Sequence, residues 1–90
     1  MKRKQGFIVR EIAGKTVAIA VGEASKDFHG MLTLNQTALF IWQQLEKDTT
    51  EEAIVDELLK IYDVPREKAE NDVHITVDTL KKAGIVTDKQ

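Results

Sequence analysis

The hydrophobic period of this chain changes once, at Asn35, from the two-residue alternation of strands to the three-to-four-residue spacing of helices. Before that point Phe7-Ile8-Val9-Arg10-Glu11-Ile12 and Thr16-Val17-Ala18-Ile19-Ala20-Val21 are rich in β-branched residues and are separated by Ala13-Gly14-Lys15. Two such runs around a glycine-containing turn predict a β-hairpin. In the second run Val17, Ile19 and Val21 share one face and Thr16, Ala18 and Ala20 the other. Gly22 to Asp27 is a polar connection, and His29-Gly30-Met31-Leu32-Thr33-Leu34 reads as a short third strand, with Leu32 and Leu34 on one side and Met31 and Thr33 on the other.

From Asn35 onward the pattern is helical. Asn35 is the expected N-cap of a helix running to about Lys47, because its side-chain oxygen can accept from an unpaired first-turn amide. Ala38, Ile41, Trp42 and Leu45 form its apolar stripe, which places Trp42 in the core. Thr49 and Glu52 have the spacing of a capping box, and Ile54, Val55, Leu58, Leu59 and Tyr62 give the second helix its buried side. A third helix is expected from about Pro65 to Ala83, with Ala69, Val73, Val77 and Leu80 inward and Gly84 as its stop. Ile85-Val86 then returns apolar surface to the core. Three strands followed by three helices define an α+β arrangement, here a winged-helix-like domain with a three-stranded antiparallel sheet.

Ninety residues suit one domain spanning 1–90. With 42% hydrophobic and 31% charged residues the chain has the composition of a folding globular protein. The absence of cysteine removes disulfides, thiolate metal sites and cysteine nucleophiles, and it fits a reducing cytoplasm. No apolar run approaches the roughly 18 residues of a membrane span, so no membrane partner is expected.

Chemistry is scarce. His29 and His74 are the two histidines, without the further ligands a metal site needs. Asp48, Glu51, Glu52, Asp56 and Glu57 cluster around the start of the second helix, where they complement its dipole. They read as a solvated acidic face or, more sharply, as a docking surface for an enzyme. No phosphate-binding glycine loop or nucleophile motif occurs, so no cofactor and no catalysis are expected.

The segment His29-Gly30-Met31-Leu32-Thr33-Leu34-Asn35-Gln36-Thr37-Ala38, continuing to Ile41-Trp42 and Leu45, resembles the strand and helix start of PqqD-like proteins. Thr50 to Val55, Leu58 to Val64, Asp72-Val73 through Leu80, and Ala83-Gly84-Ile85-Val86 continue the resemblance in order, so that it covers Phe7 to Val86. One position departs: Thr76 stands where the family carries a large apolar residue, with Ile75 beside it.

The resemblance implies a recognition element for ribosomally made, post-translationally modified peptides. In that family the leader of a precursor peptide adds as a strand to the edge of the small sheet and lies against the last helix. The domain also docks a modifying enzyme, often a radical SAM enzyme, and related domains serve lasso-peptide maturation, which makes a maturation peptidase a further partner. Strand addition supplies sequence-independent main-chain bonds, so specificity must come from side chains beside the edge. The candidates on the strand are Gly30, Met31, Leu32 and Thr33. On the third helix Ile75 lies about 160° from Val77 at 100° per residue, off the core face. Lys68, Asp72, Thr79 and Lys82 share its side.

Two other functions use the same inventory. A winged-helix DNA-binding domain would need several uncompensated cations. In the third helix, however, Arg66, Lys68, Lys81 and Lys82 are matched by Glu67, Glu70, Asp72 and Asp78, and the connection with Glu23, Lys26 and Asp27 is no more basic. Only Lys2-Arg3-Lys4 forms a basic cluster, and at a net charge of −2 no nucleic-acid partner is expected. The alternative is a scaffold subunit that forms a homodimer through its sheet edge.

Overall fold

Two residues with positive φ, Ala13 at 53° and Gly14 at 78°, turn the first hairpin. They connect β2 (Phe7–Ile12) to β3 (Lys15–Ala20) with Ile12 opposite Lys15. The loop is thus two residues long, and Lys15 belongs to the strand. Positive φ at both central positions is the primed turn whose twist matches that of the flanking strands. The computed structural model describes residues 1–27 and 31–87. His29 and Gly30, expected at the start of the third strand, lie outside the described residues.

β4 (Met31–Leu34) pairs antiparallel with β3, Leu34 opposite Thr16 and Met31 opposite Ile19, which gives the sheet order β2-β3-β4. Side chains opposite one another share a face. Phe7, Ala18, Leu32 and Leu34 therefore lie on the inner face, and all four contribute to the core cluster. Ile19 and Met31 lie on the outer face, so that the inward positions of β3 are the small Thr16, Ala18 and Ala20.

Three long helices complete the chain. Asn35 caps α2 (Gln36–Gln44), accepting from the Ala38 amide at 2.8 Å. The helix ends at Leu45, short of Lys47. Thr50, not Thr49, caps α3 (Glu51–Ile61), accepting from the Ala53 amide at 3.1 Å. The expected Thr49–Glu52 capping box does not form because Thr49 is otherwise engaged: its amide donates to the Met1 carbonyl at 2.8 Å, and its carbonyl accepts from the Met1 ammonium at 2.7 Å. α4 (Arg66–Lys82) starts after Pro65 at the N-cap. At its end Gly84, with φ 77°, donates to the Lys81 carbonyl and Ile85 donates to that of Leu80. This pair of bonds is the Schellman stop, and it brings Ile85 back onto the core side.

Two elements are additional to the expected inventory. The connection after β3 contains a single helical turn, α1 (Ala24–Asp27). The basic N-terminus forms β1 (Lys2–Arg3), which pairs antiparallel with β5 (Val86–Thr87). Lys2-Arg3-Lys4 is consequently built into the fold. The Arg3 guanidinium lies 4.9 Å from the centre of the Trp42 ring, and its Nε donates to the Trp42 carbonyl at 3.2 Å.

The core joins the sheet to all three long helices. Ile41, Trp42 and Leu45 from α2 and its cap meet Ile54, Val55 and Leu58 from α3 and Ala69, Val73, Val77 and Leu80 from α4, with Ile85 and Val86 closing the end. No helix among the described residues is long and apolar enough to cross a membrane.

Candidate functional site: the open edge of β4 and its groove

The ladder alternates between residues that bond one neighbour and residues that face the other way. In a hairpin with a two-residue loop the closing pair, Ile12 and Lys15, exchanges hydrogen bonds, so Lys15, Val17 and Ile19 bond β2 while Thr16, Ala18 and Ala20 face β4. On β4 the partners of Ala18 and Thr16 are Leu32 and Leu34. Met31 and Thr33 therefore direct their amides and carbonyls away from the sheet, along an edge to which no described strand pairs.

Beside this edge runs α4. An apolar hollow of about 140 Å³ lies between them, walled on the strand side by Leu32, Thr33 and Leu34 and on the helix side by Ile75, Thr76, Thr79 and Leu80. Ala38 of α2 also lines it. A second hollow, of about 330 Å³, continues from it past Ile75 and Thr76 to Asn35, Thr37, Lys68 and Asp72. Ile75 and Thr76 belong to both, so the two form one groove with an apolar end and a polar end.

Ile75 is 55% exposed, although the other apolar side chains spaced along α4 are buried. The helix thus has an inward stripe for the core and a separate side for the groove. Thr79 Oγ donates to the Ile75 carbonyl at 2.9 Å, which satisfies its proton within the helix. Lys68 Nζ and Asp72 Oδ2 are 2.9 Å apart at the polar end.

Leu32, Thr33, Lys68, Asp72, Ile75 and Thr79, all expected from the sequence to face a peptide, come together along this groove. Gly30 lies outside the described residues. Met31 is 60% exposed on the outer face of the sheet and lines neither hollow. Lys82 pairs with Asp78 at 3.1 Å and lines neither. Leu34, Asn35, Thr37, Ala38, Thr76 and Leu80 are lining residues that the sequence did not suggest. Thr76 had a signal, since it stands where the resemblance expects a large apolar residue. A bulky side chain there would occupy the groove.

Elsewhere the charges are locally matched. Arg66 meets Asp56 at 2.9 Å and Glu70 at 3.4 Å, and the Asp56 carboxylate raises its guanidinium pKa. His74 Nδ1 lies 3.1 Å from Glu51, and Glu57 raises the Lys60 pKa across a 2.6 Å contact. Arg66, Lys68 and Lys82 on α4 all sit in ion pairs, which is unsuited to a phosphate-binding helix. No group of acidic, histidine or cysteine residues that could hold a metal occurs among the described residues.

A small antiparallel sheet with one open edge, packed on three helices, is the class of fold defined here. The chain belongs to the PqqD family: the family model for Coenzyme PQQ synthesis protein D matches residues 24–86. Two solved structures share the fold. TbiB1, in complex with the TbiA(beta) leader peptide, superposes with a TM-score of 0.73 at 21% identity, covering 100% of this chain and 99% of that one. Lasso peptide synthetase B1, complexed with its leader peptide, gives 0.68 at 24% identity over 93% of each chain. No curated protein sequence matches this chain.

Proposed function

We propose that this protein binds the leader segment of a ribosomally made precursor peptide by strand addition along β4 and presents it to a modifying enzyme, with no catalysis of its own. The observation that carries the reading is the open edge of Met31 and Thr33 lying beside an apolar groove on α4, in a fold whose solved relatives are complexes with leader peptides.

Energetics explain why both features are needed. Met31 and Thr33 offer at most four outward main-chain bonds, each contributing about 0.5–1.5 kcal/mol. Their sum of about 2–6 kcal/mol falls short of, or barely meets, the roughly 4–15 kcal/mol cost of association. A leucine-sized side chain buried in the groove adds about 1.5–3 kcal/mol and converts a weak general contact into a selective one. Binding in the micromolar range follows, tight enough to hold a precursor and loose enough to release it.

The modifying partner is a radical SAM enzyme or a maturation peptidase. The acidic α3 surface, with Glu51 and Glu52 on its first turn, is the candidate docking face. The test is titration of the ¹⁵N-labelled protein with leader peptides from the short open reading frames beside its gene. Saturable shifts at residues 31–34 and along α4 are expected, and their absence at millimolar peptide would refute the reading.

A further inference from the structure

We infer that the segment taken up along β4 carries a compact apolar side chain and, two residues nearer its own N-terminus, a carboxylate; the inference rests on the strand-addition reading above. In an added antiparallel strand the residues opposite Leu32 and Leu34 point to the α4 side, about 6.8 Å apart. The two hollows of the groove lie in that same order. The apolar one includes Leu32, and the polar one starts at Asn35, immediately after Leu34.

Volume fixes the first side chain. A hollow of about 140 Å³ is close to the roughly 150 Å³ apolar cavity that accepts one benzene molecule, so it takes a leucine, isoleucine or phenylalanine side chain and not an indole. Charge fixes the second. Lys68 has three ammonium protons, and Asp72 engages the ammonium through one contact at 2.9 Å, leaving protons to donate. The first turn of α2 adds unpaired amides at Asn35 and Thr37, and no acidic residue sits there to occupy them. Against these stands the single carboxylate of Asp72. The polar end is net attractive to an anion.

Strand direction sets the order of the two side chains. Antiparallel pairing is slightly more stable per residue than parallel. An antiparallel peptide therefore reaches Leu34 and the polar end two residues before it reaches Leu32, with its acid on the N-terminal side.

The experiment is selection of a displayed library of random ten-residue peptides on the full chain, followed by synthesis of the enriched peptides and titration into ¹⁵N-labelled protein. Enriched peptides are expected to share an apolar residue preceded two positions earlier by Asp or Glu. Lys68→Glu should weaken them about tenfold, the size of one charge-assisted hydrogen bond, and should redirect selection to Lys or Arg at that position. Lys68 is exposed, and an unchanged circular dichroism spectrum verifies that the variant folds. Enriched peptides that shift the Met31 and Thr33 amides but lack the acid, or place it after the apolar residue, overturn this inference and leave strand addition standing. Enriched peptides that shift neither amide overturn both.

Discussion

Phe7 and Trp42 meet edge to face, their ring centroids 5.5 Å apart and their planes at 81°. Phe7 opens β2 and Trp42 is buried on α2, so this contact fastens the hairpin to the helices and fixes the sheet against the wall of the groove. Trp42→Ala removes the larger ring and is expected to cost about 3–5 kcal/mol, a large share of the stability of a domain this size. Half-buried Phe7→Ala should cost about 2 kcal/mol. Urea denaturation read by far-ultraviolet circular dichroism measures both, and a smaller loss for Trp42→Ala than for Phe7→Ala would contradict the packing described.

The edge of β4 can be blocked without breaking the sheet. Thr33 directs its amide outward, so Thr33→Pro removes a donor that no described strand uses and should leave the thermal midpoint within a few degrees while abolishing leader binding. Leu32→Pro deletes a bond of the β3–β4 ladder and should unfold the sheet. Equal effects of the two substitutions on folding would refute the assigned alternation.

Ile75 tests the groove apart from the edge. Ile75→Glu replaces a side chain that is 55% exposed, so stability should change by less than about 0.5 kcal/mol. Peptide affinity should fall about tenfold or more, as expected when an apolar anchor loses its wall. Isothermal titration calorimetry gives the ratio; unchanged affinity would remove Ile75 from the site.

Ala13 holds a left-handed conformation, at φ 53°, that costs an L-residue about 1–2 kcal/mol. Ala13→Asn gives the Asn-Gly pair preferred in such turns and should stabilise the protein by about 0.5–1 kcal/mol, raising the melting temperature by about 2–8 °C. Scanning calorimetry will register it, and a lower melting point would contradict the turn geometry.

The hydrogen bond from the Met1 ammonium, with its positive charge, holds the Asp48 carboxyl below its ordinary pKa. A group whose pKa is depressed on folding stabilises the fold above its unfolded pKa, and that contribution disappears as pH falls through the lowered folded value. Carboxyl NMR titration should find Asp48 titrating below the other exposed aspartates, and acetylation of the amino terminus should bring it back to their range.

The apolar stripes on α2, α3 and α4 were legible in the sequence because residues such as Val73, Val77 and Leu80 repeat at the helical period and carry no competing signal. Caps were legible where chemistry decides them alone, as at Asn35 and Gly84. Thr49 and Thr50 are chemically equivalent as caps, and the choice between them depends on a contact to Met1 that is remote in sequence. The same holds for β1 and β5, each two residues long and defined only by the other. In the groove, Ile75 stood out as an apolar residue on a polar side of its helix. Asn35, Thr37 and Ala38 did not, because only the packing of α2 beside α4 turns the start of one helix toward the middle of another.

Because Lys2 lies directly across from Thr87, polypeptide entering the domain and polypeptide leaving it pass within one strand spacing of each other. A unit with that geometry can be spliced into a surface loop of a larger enzyme as a closed bead, with little strain on its host. Tethering it to a catalytic partner would need only a short spacer, and would replace a bimolecular search by a fixed local supply of substrate.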